Sequence, residues 1–303
     1  MKTLKTLITG GSGLVGKQLS HLLKSNNHEV YHLSRKSGNT GYKTFKWSIK
    51  DGYIDPEALQ VDHIIHLAGA GVADKRWSTK RKEIIRSSRI DSTRLIAEKI
   101  KMCNPGIKSF ICASAIGIYG LNTGEKWVDE QSKPASDFLA TLVTDWEREI
   151  EKLKALTIPV GILRIGVVLA GEGGALPKLI QPISIGAGAA LGCGKQYLSW
   201  IHINDLCRIF LWMLEENQYQ TFNAVAPHPV TNKEITIEIA NVIKKKIILP
   251  NVPAFVLKGL LGEMANIVLG GNRVSCENIQ KLGFEFKYPE LRPALKNLLT
   301  AQQ

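Results

Sequence analysis

Eight residues near the start of the chain, Thr9-Gly10-Gly11-Ser12-Gly13-Leu14-Val15-Gly16, restrict its architecture more than any other segment. A β-branched run over residues 5–9 leads into them, and a helical pattern over residues 14–23 leads out. The glycines have separate jobs in that setting. Gly10 permits a tight turn, Gly13 lets the backbone approach a pyrophosphate, and Gly16 lets helix and strand pack closely. Together with Gly11, Ser12, Leu14 and Val15 they present free amides at a helix start, where phosphates bind.

The pattern continues along the chain. Strand-like runs at residues 29–33, 63–67, 109–113, 160–165 and 222–225 alternate with helical stretches at 79–101 and 139–156. Such alternation predicts an α/β fold, a doubly wound parallel sheet with helices on both faces. Residues 171–194 are rich in Gly, Ala and Pro and read as a substrate-side lobe. Helical periodicity returns at 204–216, 232–245, 254–269 and 291–299.

The end of the second strand bears on the choice of nucleotide. A site for NAD places an acidic residue there, against the ribose 2′-hydroxyl. This chain has Ser34 and Arg35, a hydroxyl and a guanidinium suited to a 2′-phosphate, so NADP(H) is expected. A solvated basic turn is the plainer alternative. The third strand ends in Leu67-Ala68-Gly69, small enough for the chain to pass close to ribose and pyrophosphate.

Charge and cysteine content narrow the class further. The net charge is +12, and residues 74–108 hold eleven Lys/Arg against four Asp/Glu. That segment is either a solvated helix face or an attractor of phosphates. No zinc-finger spacing or RNP-like strand accompanies it, so no nucleic-acid partner is expected. The five cysteines are scattered without a CxxC pair, which argues against a disulfide framework or zinc site. No apolar run approaches the roughly 20 residues needed to span a bilayer. The N-terminus lacks a signal peptide's apolar region, and a cytoplasmic protein without membrane contact is expected.

With these residues in view, the chain resembles the extended short-chain dehydrogenase/reductases, and within them an atypical epimerase-like branch labelled nucleoside-diphosphate-sugar epimerase. The matching segments run nearly end to end. They are TGGSGLVG, LSRK (33–36), LAG (67–69), KRW (75–77), SRIDSTR (88–94), ASAIGIYG (113–120), DFLA (137–140) and DWE (145–147). LRIGVVL (163–169), GGAL (173–176), SWIHINDL (199–206), NAVAPHPVTN (223–232), GEMA (262–265) and GFEFKYPEL (283–291) complete the series. The resemblance implies an NAD(P)-binding Rossmann domain over residues 1–235, with the substrate lobe near 170–200, and a small helical C-terminal domain over 248–300. It also implies cofactor contacts from Arg89, Val167 and Val168. One departure is Ala70-Gly71 after LAG, where relatives commonly carry Glu followed by Pro or Asn.

The reaction is harder to read. Ordinary members move a proton with a Tyr-x-x-x-Lys pair, the lysine keeping the phenol acidic. Here Asp137-Phe138 occupies the tyrosine's place, and no lysine follows until Lys152. Tyr42 and Lys46 have the spacing but fall near the adenine end. Ser114, closing the fifth strand, is the candidate partner for a substrate oxygen, unless it only caps the strand. Tyr119 is the candidate proton carrier, with packing beneath the lobe as its alternative. Glu130 and Asp137 are further bases to consider. His202 reads as a structural hydrogen-bonder to Asp205, and Trp47 as a core residue or a cover for adenine. Arg86, Arg89 and the Lys75-Arg76 pair are available to substrate phosphates. Two functions fit these residues. One is an NADP(H)-dependent oxidoreductase or epimerase acting on a phosphorylated or nucleotide-linked small molecule, possible as a homodimer. The other is a non-catalytic NADPH-binding regulatory or sensor protein.

Overall fold

The computed structural model describes residues 3–35, 41–103 and 106–300; Lys36 of the LSRK segment lies outside them. The strands are β1 (Leu4–Thr9), β2 (His28–Ser34), β3 (Lys43–Ser48), β4 (Tyr53–Ile54), β5 (His63–His66), β6 (Ser109–Ala115) and β7 (Asn122–Val128). They continue as β8 (Val160–Ile165), β9 (Val167–Leu169), β10 (Tyr197–Leu198), β11 (Trp200–His202), β12 (Thr221–Ala224), β13 (Val230–Thr231) and β14 (Gly271–Val274). The helices are α1 (Leu14–Ser25), α2 (Thr79–Cys103), α3 (Phe138–Glu151), α4 (Leu176–Ser184) and α5 (Ile203–Glu215). The remaining five are α6 (Asn232–Val242), α7 (Ala254–Leu261), α8 (Ala265–Leu269), α9 (Glu277–Lys281) and α10 (Leu291–Thr300).

Eight strands form one sheet in the order β12-β8-β6-β5-β1-β2-β3-β4. All neighbours are parallel except β3 and β4. Both faces are covered, so the central strands are apolar on successive residues rather than alternate ones. Ile8, Ile65, Ile111 and Leu163 belong to one buried cluster with residues of α1 and α5. Leu7, Ile64, Phe110 and Ile162 belong to the other, with residues of α2 and α3. The buried residues of α1, Gly16, Leu19, Ser20 and Leu23, recur at helical spacing and form a single stripe. This is the doubly wound α/β sheet expected from the alternation, a Rossmann-type fold. Chain order reverses between β1 and β5, and the carboxyl ends of these two strands define the crevice where such sheets bind ligands.

The later part of the chain is tied into this frame by polar contacts as well as packing. Strand β14 pairs with β7. Buried Asp205, in the first turn of α5, accepts hydrogen bonds from the amides of Lys287 and Tyr288 at 2.9 and 2.8 Å. The lobe segment 171–194 holds α4, whose N-terminal residue Leu176 is fully buried. The helix expected over 254–269 is broken at Gly262, where φ is +60° and a Cβ would lie 2.8 Å from Arg76 Nε. Strand β3 was not anticipated, although Phe45 and Trp47 alternate with exposed lysines as an amphipathic strand requires. Among the described residues no helix is long and apolar enough to cross a membrane, and no group of His, Cys, Asp or Glu is placed to hold a metal ion. All five cysteines are unpaired.

Candidate nucleotide and substrate site

The glycine turn sits at the crevice and is shaped by its neighbours. Gly10 has φ +71°, which favours glycine. A Cβ on Gly11 would lie 2.5 Å from the His32 ring, and one on Gly16 would lie 2.3 Å from the Gly10 carbonyl oxygen. The close approach secured by Gly16 is therefore helix to turn. Gly13 caps α1 without a side-chain hydrogen bond, and the first turn of that helix carries no acidic residue. We expect Gly16→Ala to cost about 1–3 kcal/mol, since the added methyl meets backbone that has nowhere to move. A urea midpoint equal to that of the unaltered protein would show that the turn can yield.

Behind the turn, Thr9 organises the Leu67-Ala68-Gly69 loop. Its hydroxyl accepts from the amides of Leu67 and Ala68, both at 3.1 Å, and lies 2.7 Å from Nδ1 of His66. With both lone pairs engaged, the hydroxyl gives its proton to Nδ1, so the ring carries its own proton on Nε2. That nitrogen lies 3.1 Å from Ser92 Oγ, whose proton goes to carbonyls of α2. Burial, reinforced by the charge of Arg89, pushes His66 down to about 3 and keeps it neutral. Ser88 then accepts from the Ala70 amide at 3.0 Å. The sequence reading missed this relay, and a hydroxyl before the glycines together with a histidine before LAG was its signal.

Two cavities share Leu67, Ala68 and Gly69 and so form one trough across the ends of the strands. The first, of about 310 Å³, is lined by Gly10, Gly11, Ser12, Gly13, Ser34 and Arg35, with Trp47, Ile49 and His32 alongside. Trp47 is 3% exposed, a core residue that also reaches this wall. The second, of about 410 Å³, receives Arg89, Ser114 and Val167. Leu14, Val15, Gly16 and Val168 line neither; Leu14 instead packs against Gly173 and Gly174 of the lobe.

Arg89 runs beneath the loop. Its Nη1 donates to the carbonyls of Ala70 and Ile85 at 3.0 and 3.1 Å, and Gly69 leaves room for the guanidinium. Burial lowers its pKa to about 10.

Ser114 reaches the wall of the larger cavity, but its proton points elsewhere. The hydroxyl donates to Glu147 Oε1 at 2.6 Å. Glu147 also accepts from Nε and Nη2 of Arg164 at 3.0 and 2.8 Å. Burial works against the charge on Arg164, but the bonds and charge of Glu147 outweigh it and raise the pKa. Arg164 Nη1 donates to the Tyr119 hydroxyl and the Glu130 carbonyl, both at 3.1 Å. Tyr119 in turn donates to Asn223 at 2.7 Å, is 5% exposed, and is not among the residues of either cavity. Burial, only partly offset by Arg164 and Asn223, pushes its phenol up to about 12.

The other possible bases are likewise engaged. Glu130 accepts from the Asn223 amide at 2.7 Å. Asp137 caps α3 by accepting from Leu139 and Ala140, and also holds the Leu121 amide. Phe138 meets Trp77 edge to face, with the Lys82 ammonium 5.1 Å from its ring centre. His202 caps α5 and stacks on Tyr288 at 3.9 Å; its Nε2 meets Asn297 rather than Asp205. Tyr42 lies against His32 and His21, and Lys46 stands on strand β3 rather than on a helix shared with it.

The cavity wall also contains residues that sequence reasoning did not single out. Tyr197 lines it, with the Arg273 guanidinium 4.8 Å from its ring centre. Asn272 donates through Nδ2 to the carbonyls of Gly120 and Ile116 at 2.8 and 3.3 Å, and its buried Oδ1 has no partner among the described residues.

A glycine turn at the switch point of a doubly wound sheet defines the Rossmann class of nucleotide-binding proteins. The chain belongs to the NAD dependent epimerase/dehydratase family, whose family model matches residues 6–224. A second model, described as a domain of unknown function (DUF1731), matches residues 252–298. The chain is 35% identical to the epimerase family protein YfhF of Bacillus subtilis (strain 168) over 296 residues, 96% of this chain and 97% of that one. It is similar to the crystal structure of human epimerase family protein SDR39U1 (isoform 2) with NADPH, with a TM-score of 0.86 and 28% identity, covering 98% of this chain and 99% of that one. The nucleoside-diphosphate sugar epimerase from Corynebacterium glutamicum gives a TM-score of 0.80 and 30% identity over 100% of this chain and 61% of that chain.

Proposed function

We propose that the chain binds NADP(H) along the trough and acts as an oxidoreductase or epimerase-like enzyme on a small molecule held in the larger cavity. The observation that carries this reading is the placement of Arg35. It stands at the end of β2, on the wall of the cavity that the glycine turn also lines, and among the described residues no acidic one lines that cavity. The human relative with NADPH supports the same choice.

The residues present fit such a cofactor. Glycines at 10, 11 and 69 let the backbone pack closely against Leu67-Ala68, His32 and Arg89, and the start of α1 carries no side-chain cap and no acidic residue. Ser34 and Arg35 would hold the 2′-phosphate, Gly10 to Gly13 the pyrophosphate, and Ser114 with Val167 the nicotinamide end. Bound there, the cofactor would supply or accept a hydride. Ser114 gives its proton to Glu147, so toward the cavity it accepts hydrogen bonds and orients a donor. Tyr197 is the phenol on this wall, and we assign it the proton-carrying role in place of Tyr119.

We also take the division into residues 1–235, with a lobe near 170–200, and 248–300 as the working domain scheme. The protein is read as cytoplasmic and without a nucleic-acid partner, because much of the basic helix is paired. Arg86 meets Asp145 at 3.0 Å, Arg94 meets Glu149 at 3.0 Å, and Lys82 pairs with Glu263.

Arg35→Ala should weaken NADPH binding by roughly ten- to hundredfold, the worth of a charge-assisted hydrogen bond, and leave NADH nearly unchanged. Equal affinities of the unaltered protein for NADPH and NADH would refute the assignment. A second reading, an NADPH-binding sensor without turnover, is favoured by the commitment of Ser114, Tyr119, Glu130 and Asp137 to internal hydrogen bonds. Consumption of bound NADPH during incubation with cell metabolites would end it.

A further inference from the structure

We propose, resting on that placement of the cofactor, that the larger cavity selects a small, uncharged, mainly apolar molecule carrying a hydroxyl group, rather than a phosphorylated or nucleotide-linked one. The walls of this 410 Å³ space include Val72, Ile116, Leu139, Leu142, Val143 and Ile267, and among the described residues Arg89 is the one charged side chain that lines it. Nη1 of Arg89 is held by two backbone carbonyls, and its guanidinium lies 5.4 Å from the Trp146 ring centre. A diphosphate placed here would lose water and meet a single, partly engaged cation among apolar walls.

Of the other cations nearby, Arg273 donates to the Glu125 carbonyl at 3.4 Å and lies over the Trp127 and Tyr197 rings, and several more are engaged outside the cavity. Arg81 lies 3.6 Å from Asp74 and donates to the Gly71 carbonyl. Arg86 and Lys82 are in ion pairs, Arg76 packs against Gly262, and Lys178 donates to the Ala73 carbonyl at 3.4 Å. The volume argues the same way, because the space must also hold the nicotinamide and leaves little for a nucleotide.

Polar groups on the wall select the rest of the ligand. Ser114 donates its proton to Glu147 and so offers an acceptor to the cavity, while Asn272 Oδ1 is sealed from solvent behind the wall, its amide nitrogen tied to Gly120 and Ile116. The accepting serine calls for a donor. A hydroxyl on an otherwise apolar body supplies one, and its oxygen is available to the Tyr197 phenol.

The test uses the full chain. NADPH is titrated first, by its own fluorescence, without any other ligand. The NADPH-saturated protein is then titrated with 1-phenylethanol, cyclohexanol, UDP-glucose and inorganic pyrophosphate, following the fluorescence of the bound nucleotide and the thermal midpoint. We expect the neutral alcohols to saturate at concentrations at least about tenfold below UDP-glucose, and to compete with each other. Ile267→Asp, on a partly exposed part of the wall, should weaken the alcohols about tenfold or more and leave the NADPH titration unchanged. Tighter binding of UDP-glucose than of either alcohol overturns the proposal, as does the absence of saturable binding by both alcohols. A protein that takes up no NADPH in the first titration sinks the cofactor reading, and this inference with it.

Discussion

Replacing Glu147 by alanine is expected to lower the free energy of unfolding by about 3–5 kcal/mol, one of the two largest effects anticipated for this chain. Arg164 is 9% exposed, and its guanidinium donates two of its hydrogen bonds to this carboxylate. Removing the carboxylate strands a buried charge, and the remaining acceptors, Tyr119 and the Glu130 carbonyl, are neutral. The cost is a penalty of breaking the pair rather than a measure of its net worth. Glu147→Leu combined with Arg164→Met should accordingly recover part of the loss, because the buried charge leaves with its partner. Urea denaturation of the three variants checks both statements. A loss under about 1 kcal/mol in Glu147→Ala would mean that water reaches Arg164.

The second large effect is acid sensitivity. Burial, the foremost cause in each case, pushes His63 down to about 4, His66 to about 3 and His202 to about 4. In the unfolded chain each takes up its proton near pH 6.5. Between that pH and the folded values the unfolded state binds more protons, so stability falls as the pH falls through this window. Above about pH 6.5 these groups are neutral in both states and contribute no slope. Each contributes at most about 1.4 kcal/mol per pH unit, and a combined loss on the order of 6 kcal/mol is expected between pH 6.5 and 4.5. Urea midpoints at a series of pH values measure it. His66→Gln should flatten the profile even if it lowers stability throughout, and an equally steep profile would show that His66 takes no part.

Much of this molecule is legible in its residues. The glycine turn, the apolar runs of the central strands and the helical stripe of α1 each carry a local rule, and each is found where the rule places it. Strand β3 carries no such rule, because it offers only two apolar residues, Phe45 and Trp47, among polar ones. The break at Gly262 was hidden because nothing local shows that Arg76, far away in sequence, needs the space.

The candidate site divides in the same manner. The proposed cofactor residues lie in short contiguous segments, whereas the wall of the larger cavity is assembled from Leu142, Tyr197, Ile267 and Asn272, which no local pattern joins. The direction of the Ser114 proton was equally out of reach. It follows from the distant Glu147 and Arg164, and a serine at a strand end looks the same whichever way its hydrogen points.

The pairing of β14 with β7 brings Gly271 opposite Asn122, so the last stretch of wall arrives long after the sheet that it closes. During synthesis on the ribosome, the strands flanking the crevice emerge together with the glycine turn, while Ile267 and Asn272 are still to be made. A nascent chain thus makes the residues of the cavity at the glycine turn first and those that close the larger cavity later. An order of assembly is written into the topology.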